Sequence, residues 1–415
     1  MNLPAEHFLD EDKALACIHC GLCLSSCPTY LETGNENESP RGRIYLMRAV
    51  QAGRLPVNGT AVAHFDSCLG CRACEAVCPS GVQYGGLLEH TRDHVEKNYS
   101  RSFVQRFLRR VVIEKIFPFP LRMKTALLPA RFAKWVHIDP LLPRFAREAL
   151  SLVPTEARGA SLPEVSPATT ETRRGRVGFI RGCVMNVMFG PTNQNSIRLL
   201  NEAGYDVVTP NSQVCCGALY AHSGNMARAR ECAEANIAAF AEHDCEAVIV
   251  NAAGCGSSLK EYGHWLETEA AARFAGKVKD LTEWLRPGDF TRTSNHERVT
   301  YHDACHLAHA QRITKSPREL LKAVAGNNIV DIPESDVCCG SAGTYNLTEP
   351  AMAERLQRRK VKNILKSKAT LVITSNPGCM LQIQAGLKKA GSNVRVMHIA
   401  DYLAIQPPPI TKSPS

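Results

Sequence analysis

No stretch of this 415-residue sequence approaches the ~18 uninterrupted apolar residues that a membrane-spanning helix needs. The first residues, "MNLPAEHFLDEDKA", lack the basic start and apolar run of a secretory leader. Together these absences lead us to expect a cytoplasmic protein, in a compartment where thiols stay reduced. No G-x-G-x-x-G follows an apolar strand, and neither a P-loop nor a G-x-S-x-G elbow occurs. Nothing here binds flavin or nicotinamide by a known fingerprint. A basic–aromatic platform for nucleic acid is missing too.

What the chain has instead is sulfur. It carries 18 cysteines within an otherwise ordinary composition, 44% apolar and 21% charged. Its length exceeds what one core usually holds, so two or three domains are expected. Under reducing conditions so many cysteines point to metal rather than disulfides, and spacing decides.

The net charge of +9 is uneven. Arg101 to Arg147 holds eleven Lys and Arg against two acids, Glu114 and Asp139, so this segment alone carries the excess. Apolar residues alternate with basic ones in "FVQRFLRRVVIEKIF", the pattern of an amphipathic basic helix. It suits an anionic membrane surface or an acidic partner; a solvated face packed on the protein itself is the plainer reading.

Residues 1–100 contain eight cysteines, and the next is Cys183. "PTEARGASLPEVSPATTETRRG" reads as a linker. Beyond it the chain repeats itself. "RGRVGFIRGC" matches "HERVTYHDAC", "VCCGALY" matches "VCCGSAGTY", and "AVIVNAAGC" matches "TLVITSNPGC", at offsets of 122, 123 and 124 residues. Two copies of one ~120-residue unit follow. In each, short apolar strands (177–180, 247–250; 299–301, 371–374) alternate with helical patterns, and "YDVVTP" and "NNIVDIP" read as further strands. This is the signature of parallel α/β units, with cysteines at strand ends where ligands bind. The expected fold is α+β and multidomain. It comprises a helical ferredoxin-type domain (1–100), a basic helical segment with linker (101–173), and two α/β cysteine-rich domains (174–290 and 291–415).

Cys17, Cys20, Cys23 and Cys27 with Pro28 follow C-x2-C-x2-C-x3-C-P, and Cys68, Cys71, Cys74 and Cys78 with Pro79 repeat it. Three thiolates spaced by two residues wrap one cubane, while the fourth reaches its neighbour. The expected ligand sets are therefore Cys17, Cys20, Cys23 and Cys78 for one [4Fe–4S] cluster, and Cys68, Cys71, Cys74 and Cys27 for the other. Structural zinc favours two separated C-x2-C pairs instead. Between the motifs, Ser39 as cap and Pro40 at the first position start a helix, so a helical ferredoxin is expected. Arg41 and Arg43 either offset cluster charge or are simply exposed.

The repeats offer Cys183, Cys215, Cys216 and Cys255, then Cys305, Cys338, Cys339 and Cys379. Four thiols suffice for a further [4Fe–4S] cluster per copy; zinc, a thiol pair or an empty site are the alternatives. Gly217, Gly340, Gly254 and Gly378 abut them, which suits close backbone approach. Cys232 and Cys245 have no counterpart in the second copy and read as structural. His302, His306 and His309 near Cys305 read as hydrogen-bonded rather than ligating.

Taken together, "CIHCGLC", "CPTY", "PRGRIYL", "CRACEAVCPSGV", "CCGSAGTYNLT" and "NPGC" resemble the iron–sulfur subunit family of bacterial glycolate oxidase, over nearly the whole chain. The iron–sulfur subunits of D-lactate and glycerol-3-phosphate dehydrogenases are related alternatives. The resemblance implies an electron-transfer subunit with no catalytic residues of its own. Partner subunits would carry FAD and oxidise glycolate to glyoxylate, and a quinone or other respiratory acceptor would follow. A peripheral seat on the inner face of the cytoplasmic membrane fits that role. The repeats also resemble the CCG-bearing subunit of heterodisulfide reductase, which would make the chain a disulfide- or quinone-reducing enzyme. That family's unit has a fifth cysteine where this chain has Ala252 and Asn376, which counts against it.

Overall fold

Ser39 and Pro40 start the helix Pro40–Gln51, with Ser39 Oγ accepting from the Gly42 N–H at 3.0 Å. The computed structural model describes residues 7–136, 150, 158–289 and 297–405. Pro40–Gln51 packs with Gly59–Asp66 and Tyr84–Asn98 around Ile44, Met47, Phe65, Leu87 and Leu88. The cysteine motifs occupy the loops beside this helical core, where His19, Gly21, Gly70 and Arg72 take positive φ.

The basic stretch is helical as well: Phe103–Phe107, Leu108–Ile116 in wider π-type turns, and Pro120–Trp135. Ile113 and Met123 anchor it to the protein. Leu121, Leu128, Phe132 and Trp135 lie on one exposed face of the last helix, since their spacings of seven, four and three return to one side.

Two sheets follow. The first comprises β1 (Val165–Ser166), β2 (Gly175–Ile180), β3 (Tyr205–Val208), β4 (Ala247–Val250) and β5 (Val278–Asp280), ordered β1-β3-β2-β4-β5. All pairs are parallel except β1 on β3. The second holds β6 (Val299–Tyr301), β7 (Leu371–Thr374) and β8 (Arg395–His398), all parallel. The repeat therefore equates β2, β4 and β5 with β6, β7 and β8. Val177, Phe179 and Leu199 share one core with Tyr301, Leu321 and Tyr402, so the two units pack directly on each other. Thr192 and Asn195 reinforce the seam through Asp401, at 2.7 and 2.8 Å.

Two expectations need correction. Part of the proposed linker is not a connector: β1 pairs with β3, and Asn201 holds Ser166 by its side chain at 2.8 Å. "NNIVDIP" does not form a strand in the second unit, where only Ile329 bridges to Val299. The first unit clamps β3 between β2 and β1. The second has no outer partner among the described residues, so its edge segment makes one bridge, with Val330 N–H donating to the Val299 carbonyl at 2.8 Å, and accepts from Thr300 Oγ1 at the Val330 carbonyl at 2.6 Å. The 290/291 boundary and most of 137–157 lie outside the described residues.

Candidate metal centres

The second cysteine motif is built from the inside out. Cys27, Cys68, Cys71 and Cys74 are all buried and line one small cavity, with Arg43 and Tyr84 beside them. The fourth cysteine of the first motif thus lies with the first three of the second. Burial pushes the Cys71 and Cys74 thiols well above their usual range. Two donors approach Cys68 Sγ, Gly70 N–H at 3.4 Å and the Tyr84 hydroxyl at 3.6 Å, and Cys27 Sγ lies 3.3 Å from Thr29 Oγ1, which itself donates to the Glu38 carbonyl. Such donors stabilise negative charge on sulfur.

Arg43, only 1% exposed, is the charge of this site. Its guanidinium donates to Glu38 Oε2 and the Glu38 carbonyl at 2.5 Å each, to the His64 carbonyl at 2.7 Å and to Ser67 Oγ at 2.8 Å. Burial disfavours its cation, but the surrounding Cys68, Tyr84, Cys27 and Glu38 hold its pKa above the ordinary value. Arg41 is different. It braces the first loop from the surface, donating to the His19 carbonyl at 2.9 Å and to Glu36. The sequence did not separate the two arginines. The structure does.

Cys17, Cys23 and Cys78 are half-buried against the same helical core, while Cys20 is exposed. Burial raises the Cys23 thiol, with Cys17 among its charged neighbours.

In the first cysteine-rich unit, Cys183 opens the helix Cys183–Met188, Cys255 lies in the first turn of Ala253–Lys260, and Cys215–Cys216 form the turn between. Cys183 and Cys215 sulfurs are 3.7 Å apart, and Cys255 and Cys183 are charged neighbours of the Cys216 thiol. Asn236 and Tyr262 pin this turn: Asn236 Nδ2 donates to the Cys215 carbonyl at 3.0 Å and the Tyr262 hydroxyl to the Cys216 carbonyl at 3.0 Å. The second unit repeats the chain of thiols. Cys305 and Cys338 sulfurs are 4.0 Å apart, and Cys379 is a charged neighbour of the Cys339 thiol. Hydrogen bonding to Cys215 and Cys338, then burial, holds the Cys183 and Cys305 thiols well above their usual range. Gly217 and Gly340 end the CC turns at φ +84° and +88°. A Cβ at Gly340 would meet the Ala353 carbonyl at 2.6 Å, so the turn requires glycine. Three buried sulfurs and the half-buried Cys255 in the first unit, and four buried sulfurs beside the buried Lys360 in the second, fit a group that brings positive metal charge to thiolates.

His302 reads from the sequence as a non-ligand, yet it comes within 4.8 Å of Cys339 and Cys379 in ligand-atom distance. Its Nδ1 meets the Ser335 carbonyl at 3.0 Å. His306 Nδ1 lies 3.6 Å from Cys305 Sγ, and only His309, on the Asp336 carbonyl, stays away from sulfur. The signal was present in "YHDACHLAH", but convergence with Cys339 and Cys379 is tertiary. Asn376, at a position where the fifth cysteine would stand, donates to Cys379 Sγ at 3.5 Å and accepts from Gly254 N–H at 3.3 Å. Cys245 is buried, and Cys232 is half-buried against the same cluster that holds Cys183, Cys215 and Cys216.

The sites are neighbours. Cys71 packs in one buried cluster with Cys305 and Cys338. The Tyr345 hydroxyl donates to the Ser67 carbonyl at 2.7 Å, Arg312 to the Glu75 carbonyl at 2.8 Å, and Arg72 to Glu261 at 2.5 Å, so the helical module sits on both cysteine-rich units.

A helical two-motif module seated on paired cysteine-rich α/β units defines a class of iron–sulfur proteins. Family signatures agree: a 4Fe–4S dicluster domain matches residues 13–82, and a cysteine-rich domain matches 177–260 and 299–384. The chain is 39% identical to the probable glycolate oxidase iron–sulfur subunit of Bacillus subtilis, over 95% of this chain and 94% of that one. It is 34% identical to the glycolate oxidase iron–sulfur subunit of Escherichia coli, over 90% and 91%. One subunit of the fumarate reductase (CoM/CoB) of Methanothermobacter marburgensis is 28% identical, over 97% and 74%. The chain belongs to the family of glycolate oxidase iron–sulfur subunits.

Proposed function

We propose that this chain is the iron–sulfur electron-transfer subunit of a glycolate-oxidising complex, carrying electrons from FAD-bearing partner subunits towards a quinone. The observation that carries the reading is the packing of Cys71 against Cys305 and Cys338, which joins a ferredoxin site to a cysteine-rich site through buried protein. When bound, [4Fe–4S] clusters supply one-electron transfer; removal of electrons from glycolate itself needs the flavin of another chain. We assign Cys17, Cys20, Cys23 and Cys78 to one cluster and Cys68, Cys71, Cys74 and Cys27 to the second. Cys183, Cys215, Cys216 and Cys255, and Cys305, Cys338, Cys339 and Cys379, hold one each. The domain limits 1–100, 101–173, 174–290 and 291–415 follow the same assignment. The chain's own residues hold sulfur in place, donate to it from Gly70 and Tyr84, set the Arg43 charge beside it, and exclude water. The isolated chain has no activity on glycolate.

Among the described residues no helix is long and apolar enough to cross a membrane. The exposed face of Pro120–Trp135, flanked by exposed Arg122 and Lys124, supports a peripheral seat on anionic lipid.

The test uses the assembled complex with vesicles containing quinone. Glycolate should bleach its visible iron–sulfur absorbance, quinone should restore it, and the complex should sediment with anionic but not zwitterionic vesicles. Glycolate oxidation with no change in iron–sulfur absorbance would rule the electron route out. Equal sedimentation with both vesicles would rule out the lipid seat.

A further inference from the structure

A small enclosed cavity lies where the helical module meets both cysteine-rich units, with room for about one water molecule. Its walls come from three directions. Gly70, Arg72, Glu89 and Arg92 belong to the module, His222 and Glu261 to the first unit, and His306 to the second. The walls also touch the cysteine sites. Gly70 N–H donates to Cys68 Sγ at 3.4 Å, His306 Nδ1 lies 3.6 Å from Cys305 Sγ, and Arg92 donates to the Cys68 carbonyl at 2.6 Å.

The cavity is polar and incompletely satisfied. His306 is 8% exposed, and its Nε2 is buried without a hydrogen-bond partner. The His222 and His306 rings face each other, 5.3 Å between centroids. A buried imidazole nitrogen left unpaired costs desolvation free energy unless water or a ligand atom meets it.

We propose that this cavity is an internal proton site, in which Glu89 binds one proton from solvent when one electron arrives at an adjoining cysteine site. The step balances: one electron enters from the partner flavin, one proton enters from water, and the Glu89 carboxylate becomes a carboxylic acid. The inference rests on the electron-transfer reading above.

The groups facing Glu89 are Glu261 and Trp265 of the first unit, and Arg72 and Arg92 of its own module. His222 and His306 share the cavity. Glu89 lines the cavity half-buried, and its desolvation, then Glu261, raises the carboxyl to about 7, against Arg72, Trp265 and Arg92. Arg72 is largely committed to Glu261 and Glu75, at 2.5 and 2.8 Å, which leaves Glu89 without a close cation partner of its own. Burial, then His306, Arg92 and Arg72, keeps His222 well below its usual range and therefore neutral. The sign is fixed by electrostatics. Added negative charge nearby raises a carboxyl pKa, so Glu89 releases its proton on oxidation and regains it on reduction.

The experiment is a redox titration of the full chain, followed by electron paramagnetic resonance between pH 6 and pH 9, on protein of measured iron content. In the natural chain at least one midpoint potential should be flat below about pH 7 and fall above it. The limiting slope is about 59 mV per unit, one tenfold change in a one-electron equilibrium. Glu89→Gln, which keeps shape and removes the titration, should make that potential independent of pH while retaining iron. Potentials flat throughout in the natural chain overturn the proton site, as does an unchanged slope in Glu89→Gln. Natural protein without iron overturns the electron-transfer reading, and the proton site with it.

Discussion

Cys27→Ser is expected to empty or degrade the site that Cys68, Cys71 and Cys74 share, and to leave the site of Cys17, Cys20 and Cys23 intact. By sequence distance Cys27 belongs with its own motif. In space it lies with the second, in a cavity where it is buried and Thr29 and Arg43 attend it. Serine offers a harder, less readily ionised oxygen in a buried place, so cluster affinity should fall. Glycolate-driven electron delivery should drop by more than the ~10–100-fold that losing an outer-sphere partner costs. Iron analysis and electron paramagnetic resonance read the result: up to ~4 irons lost per chain, all from one signal. Loss of the other signal instead would reverse the assignment of Cys27 and Cys78.

Arg43→Met should destabilise the loaded chain by about 3–5 kcal/mol, the usual cost of breaking one side of a buried ion pair. The side chain is 1% exposed, and removing it takes the guanidinium from the Glu38 carboxylate, which is 12% exposed and keeps His64 and Ser67, and from the carbonyls of Glu38 and His64, which keep Thr29 and Ser67. Arg43→Lys keeps the charge but loses the planar fork that reaches five groups at once, so it should restore only part of the loss. Arg41→Met, at a half-exposed side chain, should cost under ~1 kcal/mol. Urea unfolding under anaerobic conditions measures all three. Equal effects at positions 41 and 43 would mean that burial beside Cys68 does not set the role of Arg43.

The cysteine spacing and the internal repeat were legible because both are local or periodic properties. The strands at β4, β6 and β7 fell where apolar runs end at a cysteine, since a fully buried parallel strand is marked by its own composition. Val165–Ser166 was not legible. Its short Pro-, Ser- and Thr-rich surroundings read as linker, and it is a strand only because β3, forty residues on, offers an edge. "NNIVDIP" failed in the opposite sense, having strand composition without a second neighbour to complete the pairing. Arg41 and Arg43 stand two positions apart on one helix, so burial of one and partial exposure of the other depends on which face meets the core. His302 reaches Cys339 and Cys379 across the fold, a contact that no local pattern encodes. The cavity around Glu89 belongs to three domains at once and appears only when they dock.

Iron and acid-labile sulfide per chain, measured on anaerobically purified full-length protein, test the central claim most directly. Four four-cysteine sites holding [4Fe–4S] clusters give ~16 iron atoms and ~16 sulfides per chain. About eight of each would exclude the cysteine-rich units from the electron route, and near-zero iron with bound zinc would contradict the account altogether.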